Sequence, residues 1–199
     1  MMRGRRICVA ALLAISLCST AMAQTSAVPV ERWIDFTPIA LTDVDFSEVS
    51  DIGRRVVSRT NDWFIGRSER FVVFGRTRPE VSATIDEAEH AYRRAGAWFG
   101  FDDKPHGRCF MVLLKDEGMW DDIVSVHGLR PDSVAMKIGR ELYFKDDPGL
   151  RKRPDRVSHE VVHLRLERVY SLRVPLWLNE GLAGYFGWKS AEEMASARG

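Results

Sequence analysis

The chain contains the stretch His159-Glu160-Val161-Val162-His163, followed by Trp177-Leu178-Asn179-Glu180-Gly181-Leu182-Ala183. His159 and His163 are four positions apart, so on a helix both imidazoles project from one face and can share a metal ion. Glu160 lies about 100° further round such a helix, which places its carboxylate beside the metal rather than on it. Glu180 is the candidate third ligand, and two histidines with one glutamate leave one zinc position for water. The sequence therefore predicts a catalytic zinc site.

The second stretch predicts a helix that returns alongside the first. Pro175 suits the first position of that helix. Gly181, Gly184 and Gly187 recur at every third residue although each glycine weakens a helix by about 1 kcal/mol relative to alanine. We interpret them as a close approach to the helix of the two histidines. The alternatives are a surface helix that carries two histidines and a solvated acid, and an ordinary exposed acid at Glu180.

These two stretches resemble the gluzincin-type zinc metallopeptidases of the peptidase MA-like group, which end their site with a P-x-W-L-x-E-G-x-A pattern. The resemblance is close from His159 to Tyr185. It is weaker over Val134-Ala135-Met136-Lys137, which is similar to the G-A-M-E-N strand of the aminopeptidase branch. It implies a zincin-like metallopeptidase domain that hydrolyses a peptide or protein substrate. The site residues it implies are the zinc ligands His159, His163 and Glu180 and the general base Glu160.

The chain departs from the aminopeptidase branch at Lys137. That branch has a glutamate there, which holds the free α-amine of the substrate. A cation at this position repels an ammonium group, so the departure argues against aminopeptidase activity. The metzincin pattern is absent, because Leu166 and Val169 stand where its glycine and third histidine would be.

Length and composition limit the size of the fold and the classes of partner. The 199 residues suffice for one domain of moderate size, and the apolar and charged fractions are ordinary for a globular protein. The formal net charge is +1, with no basic field that would indicate a nucleic-acid partner. We divide the chain into a signal peptide (1–23), an N-terminal segment that packs on the main domain (24–68) and a zincin-like catalytic domain (69–199). We expect the last of these to lack a C-terminal subdomain.

The first 23 residues have the pattern of a secretory signal. Arg3, Arg5 and Arg6 form a positive region, residues 7–17 are an apolar core, and Ala21-Met22-Ala23 fits a cleavage site before Gln24. The apolar run is short for a membrane span, which is the alternative. We expect an exported protein, periplasmic or secreted, with no membrane attachment after cleavage. Its remaining cysteine, Cys109, lies in an apolar run and is expected to be buried.

The pattern of the remaining segments predicts an α+β fold. Strands are expected at Phe71–Phe74 and Cys109–Leu114, and a hairpin at 133–138 and 141–144, with Gly139-Arg140 as its turn. Helices are expected from Ser82 to Phe99, from Met119 to Val126, from Pro154 to Tyr170 and from Pro175 onward. We predict a small mixed sheet whose edge hairpin packs on the histidine helix.

Two further residues fall on the metal-facing side of the histidine helix. Glu167 could orient His163, or pair in solvent with Arg165 or Arg168. Tyr170 could donate a hydrogen bond to an oxyanion, or pack in the core. Neither alternative is decided by spacing.

Three functional hypotheses remain open at this point. The first is an exported zinc metallopeptidase with Glu160 as general base. The second is a secreted zinc-stabilised domain that binds a peptide or protein with little or no catalysis. The third is a metal-free helical surface.

Overall fold

The computed structural model describes residues 36–101, 107–114, 116–127, 133–145, 155–170 and 174–198, without the side chains of 168–170 and 198. In that part of the chain there are six strands and five α-helices. The strands are β1 (Thr37–Pro38), β2 (Phe64–Arg67), β3 (Phe71–Gly75), β4 (Cys109–Leu114), β5 (Ala135–Ile138) and β6 (Glu141–Lys145). The helices are α1 (Asp51–Val57), α2 (Arg78–Phe99), α3 (Glu117–His127), α4 (Arg156–Tyr170) and α5 (Leu176–Arg198).

The strands form one mixed sheet in the order β1-β2-β3-β4-β6-β5. The central pairs β3–β4 and β4–β6 are parallel, and the outer pairs are antiparallel. Because β5 is the last strand, the edge position predicted for the outer strand of the hairpin is confirmed. The mixed sheet with surrounding helices is consistent with the predicted α+β class.

Both faces of the sheet are buried, and alternate strand residues go to opposite faces. Along β3 and β4, one face receives Val72, Phe74, Phe110 and Val112, together with residues of α1 and α3. The other face receives Phe71, Val73, Cys109 and Met111, together with residues of α2 and α4. Burial on both faces explains why these central strands are continuous apolar runs rather than alternating ones. Cys109 is buried as expected.

The alternation also decides where the edge strand points its side chains. Met136 and its partner Tyr143 face the α1–α3 side, and Leu142, the partner of Lys137, faces the α4 side. Ala135 and Lys137 therefore lie on the α4 side, next to the histidine helix. Gly139 begins the hairpin turn with φ of +56°, a conformation that favours glycine.

The N-terminal segment contributes more regular structure than the sequence predicted. Residues 36–68 supply strands β1 and β2 and helix α1 to the same sheet and core. Phe36 packs against Phe64, and Phe46 packs against Phe74. Trp33 and the proposed signal lie outside the described residues. Short strands without an apolar run carry no periodic signal, so pattern reasoning did not detect them.

Helix boundaries differ from the prediction by a few residues. Helix α2 begins at Arg78 rather than near Ser82, because the Thr77 hydroxyl accepts from the amide of Glu80 and Pro79 occupies the first turn. Helix α3 begins at Glu117 rather than Met119. Helix α4 begins at Arg156, and α5 begins at Leu176, directly after Pro175. Among the described residues, no helix combines the length and the apolar character needed to cross a bilayer.

A buried polar cluster, which we call the Glu141 cluster, joins the N-terminal segment to β6. The Glu141 carboxylate is 3% exposed and accepts from the Ser50 amide, from the Ser50 hydroxyl at 2.7 Å and from the Tyr143 hydroxyl. Burial, and after it the hydrogen bond and charge of Glu141, raise the pKa of Tyr143. The phenol therefore stays protonated and serves as a permanent donor. The cluster stabilises the attachment of α1, for which Ser50 is the N-cap.

Candidate metal centre

Helices α4 and α5 bring the three predicted ligands together. His159 and His163 are successive turns of one face of α4, and Glu180 lies in the second turn of α5. One ligand atom from each of these residues lies within 4.8 Å of the other two. The residues differ in exposure, since His163 is almost buried and Glu180 is 54% exposed. The group is therefore held from the protein side and open toward the solvent.

The separations of the ligand atoms fit a tetrahedral metal. The two Nε2 atoms are 3.0 Å apart. The Glu180 carboxylate oxygens lie 3.6 Å from His159 Nε2 and 3.5 Å from His163 Nε2. Zinc with ligands at 2.0–2.1 Å places pairs of ligand atoms roughly 3.3 Å apart. Three lone-pair donors at these distances fit zinc.

Asn179 decides which nitrogen of His163 faces the triad. Its amide oxygen lies 3.1 Å from His163 Nδ1. A neutral ring that donates from Nδ1 to this oxygen keeps on Nε2 the lone pair that a metal requires. Orientation of a ligand histidine by such a partner is typical of metal sites. The sequence did not predict this role for Asn179, although Asn179 directly precedes Glu180.

The close approach of the two helices occurs at one glycine rather than three. A Cβ on Gly187 would lie 2.8 Å from the Cα and backbone nitrogen of His159, so any side chain there would push α5 away from the first ligand. Gly181 and Gly184 meet nothing within 4 Å. The expectation that all three glycines serve the approach is wrong. A helix contacts its neighbour along one stripe, and Gly181 and Gly184 lie off that stripe.

The start of α4 is held by a partner from α2. The Glu87 carboxylate accepts from the Ser158 amide at 3.0 Å and from the Ser158 hydroxyl at 3.1 Å. A carboxylate at the first turn satisfies amides that have no partner within the helix and complements the helix dipole. Because Ser158 directly precedes His159, this contact positions the first ligand.

Glu160 lies beside the triad with an altered acidity. Burial of the carboxyl, followed by the negative charge of Glu180, raises its pKa to about 7. Lys137 and Arg156 act in the opposite direction. A cation held by the triad would also lower the pKa, because positive charge favours the carboxylate. A carboxyl with a pKa near neutrality can both accept and return a proton.

Glu167 pairs with Lys137 of the edge strand, whose ammonium group also donates to the Gly139 carbonyl at 3.3 Å. The side chain of Arg168 lies outside the described residues. Arg165, one of the partners considered, is buried with its guanidinium 4.0 Å from the centre of the Tyr92 ring. The pair Lys137–Glu167 links β5 to α4. The sequence did not predict this ion pair, because the two residues are thirty positions apart.

Two cavities meet at the triad. The larger has a volume of about 880 Å³ and the smaller about 300 Å³. Both are lined by Ser133, Ala135, His159, Glu160 and Glu180. His159, Glu160 and Glu180 are therefore accessible to a molecule of substantial size, with β5 as one wall and α4 as another.

His90, His127 and Tyr185 do not line the two cavities. The side chain of Tyr170 lies outside the described residues, as does His106. His90 is buried near Glu193, 3.6 Å away, and His127 is exposed at the end of α3. Tyr185 is 53% exposed on α5.

Comparison of the chain with protein-family models, with curated proteins and with solved structures finds no match.

Proposed function

We propose that the protein is a zinc-dependent metallopeptidase in which His159, His163 and Glu180 hold the metal. The observation that carries this proposal is the convergence of two Nε2 atoms and one carboxylate at tetrahedral spacing, with Glu160 beside them and a large cavity in front. The proposed fold is zincin-like, on the resemblance of residues 159–185 to the gluzincins. Three protein ligands and one open position distinguish catalytic zinc sites from closed structural ones.

The metal ion and the side chains of the protein would have different roles in the reaction. A zinc ion in the triad would supply positive charge that acidifies water and polarises a peptide carbonyl. Glu160 would take a proton from that water and deliver it to the leaving nitrogen. The Glu160 carboxyl is half-buried and close to Glu180, and both features raise its pKa. A raised pKa suits both steps, because the group must accept the proton and then release it. Asn179 would keep His163 in the ligating tautomer.

The second candidate function is a zinc-stabilised domain that binds a peptide or protein without cutting it. The observation in its favour is the edge strand β5, which borders the site and can pair with an added strand. The position of Glu160 argues for catalysis instead, since a binding site has no use for a base next to the metal.

The decisive experiment replaces Glu160 by Gln in the purified protein. Glu160→Gln should retain stoichiometric zinc and a native melting temperature but lose about 10²–10⁴ in the rate of peptide cleavage, because the amide cannot accept the proton. Glu48→Gln, an exposed acid paired with Arg140, serves as the matched control and should cleave at the wild-type rate. Cleavage by Glu160→Gln at the wild-type rate refutes the role of Glu160. A zinc-loaded wild type that cuts no peptide would support the binding domain.

We further propose that the protein is exported and cleaved after Ala23. The proposal rests on the positive region, the apolar core and the Ala-Met-Ala site of the sequence. Sequencing the amino terminus of the mature protein should return Gln24 as the first residue. An intact Met1 would support a retained anchor.

A further inference from the structure

We infer that the cleft takes the interior of an extended peptide across the triad, so that the protein acts as an endopeptidase. This inference rests on the proposed function and specifies its substrate: a chain of about five residues that needs neither a free amino nor a free carboxyl terminus. It follows from the way the two cavities extend on opposite sides of the metal ligands.

The two cavities continue in opposite directions from the residues they share. The larger extends along β5 to Lys137 and along α4 to Glu167. The smaller extends to Val134 and, at the start of α4, to Asp155 and Arg156. Along α4, residues from His163 onward line only the larger cavity, and Asp155 and Arg156 at its start line only the smaller. His159, Glu160 and Glu180 line both, so they lie between two arms of one cleft.

The length of the cleft sets the length of substrate. Arg156 and Glu167 mark its ends on α4. Eleven residues of helix span roughly 16 Å at ~1.5 Å per residue. An extended peptide advances ~3.3 Å per residue, so about five residues occupy that distance. With arms on both sides, the scissile bond lies within the substrate rather than next to its end.

The charged groups at the two ends of the cleft are engaged by the protein. In the larger arm the ammonium of Lys137 is paired with Glu167. In the smaller arm Arg156 donates to the Lys145 carbonyl at 2.8 Å and lies over the Phe144 ring. An exopeptidase holds the charged terminus of its substrate with a group of opposite charge. Here Lys137 and Glu167 neutralise each other, and Arg156 contacts other parts of the protein. The ends of the cleft therefore favour the uncharged backbone of a longer peptide over a charged terminus.

The arms also differ in chemistry. The larger arm adds the apolar residues Leu166, Val174 and Leu176. The smaller adds mainly Asp155 and Arg156 with Val134. A large apolar side chain therefore fits on one side of the scissile bond, where it is removed from water, and a smaller or polar one fits on the other.

The test uses zinc-loaded full-length protein and a nested set of peptides of about three to ten residues, a range that brackets the cleft length. Each peptide is prepared acetylated and amidated, and also with either terminus free. We expect mass spectrometry to show internal cuts in the doubly blocked peptides. The ratio kcat/KM should rise by about tenfold or more up to five or six residues and then level off, because remote contacts lower the barrier.

A variant in each arm tests the geometry directly. Asp155→Trp narrows the smaller arm, and Val174→Trp narrows the larger. Either should lower the ratio of long-peptide to short-peptide kcat/KM by about tenfold, since residues beyond the obstruction no longer contribute. Val126→Trp, on the exposed surface of α3, is the control and should keep the wild-type ratio. Zinc content and melting temperature identify a variant that fails to fold, in which case the other arm carries the test.

The outcomes separate this inference from the proposed function. Release of single residues, or a requirement for a free terminus, would retain the metallopeptidase and overturn the endopeptidase. Equal kcat/KM for tripeptides and longer peptides would overturn the two-armed cleft. Absence of any cleavage by the zinc-loaded wild type would overturn both.

Discussion

The Glu141 cluster and the metal triad use carboxylates in opposite ways. Glu141 is buried, and the hydrogen-bond donors of Ser50 and Tyr143 surround it. Glu180 is half exposed and faces two histidine nitrogens that are available as lone-pair donors. The first arrangement is complete within the protein. The second places two ring nitrogens and a carboxylate close together, an arrangement that a cation between them would stabilise.

The comparison shows how to separate a structural carboxylate from a ligand. A structural carboxylate is satisfied by donors and contributes to the free energy of unfolding. A ligand carboxylate contributes through the metal, so its effect depends on metal concentration. Variants in the two regions should therefore change different quantities, and four predictions follow in decreasing order of effect.

The largest effect is expected from His163→Ala. Loss of one of three ligands should leave the protein unable to retain zinc through desalting, with peptide cleavage abolished. The Glu141 cluster should remain intact, so the metal-free variant and the metal-free wild type should melt at similar temperatures. Metal analysis and calorimetry measure these quantities. His127→Ala, on the exposed end of α3, is the control. Stoichiometric zinc in His163→Ala would refute the ligand assignment.

A smaller effect, on stability alone, is expected from Glu141→Gln. The neutral amide of Gln offers one acceptor oxygen instead of two and replaces charge-assisted hydrogen bonds from Ser50 and Tyr143 by weaker ones, which should cost about 2–3 kcal/mol in the free energy of unfolding. Denaturant titration measures this change. Zinc affinity should stay at the wild-type value, because the cluster lies on the far side of β6. A parallel loss of zinc affinity would show that the two regions are coupled.

Asn179→Ala should weaken zinc binding by about 10–100-fold, the usual effect of removing a group that orients a ligand histidine. Without the amide oxygen, the proton of His163 is free to move to Nε2 and block the lone pair. Competition with a chelator measures the affinity. Asn179→Asp keeps an acceptor at the same place and should restore most of it. Equal losses in both variants would indicate a packing role for Asn179 instead.

The smallest effect is expected from Lys137→Met. The wild type should cleave peptides with a blocked amino terminus at least as well as free-amine peptides. Removal of the ammonium leaves Glu167 unpaired and attractive to an amine. Free-amine substrates should then gain about three- to tenfold relative to blocked ones, since charges 4 Å apart interact by ~1 kcal/mol in water. The double variant Lys137→Met, Glu167→Gln should return the ratio toward the wild-type value. An unchanged ratio in the single variant would exclude this pair from substrate selection.

Some features of the site were predictable because their signals are local. The spacing of His159 and His163 is a property of one helix, and it holds wherever that helix packs. The strands β3 and β4 were recognised because burial on both faces requires apolar residues throughout. The hairpin was recognised from two strand patterns and a glycine turn. In each case neighbours in sequence carry the information.

Other features required the packed molecule. The contact of Asn179 with His163, the pairing of Lys137 with Glu167 and the approach of Gly187 to His159 each join two elements. Which side chains meet depends on the rotation and offset of those elements, and periodicity within one element does not contain either quantity. The sequence by itself therefore determined the candidate ligands and the base. The tertiary structure decided how the ligands are oriented, which residues line the cleft and that the cleft continues on both sides of the triad.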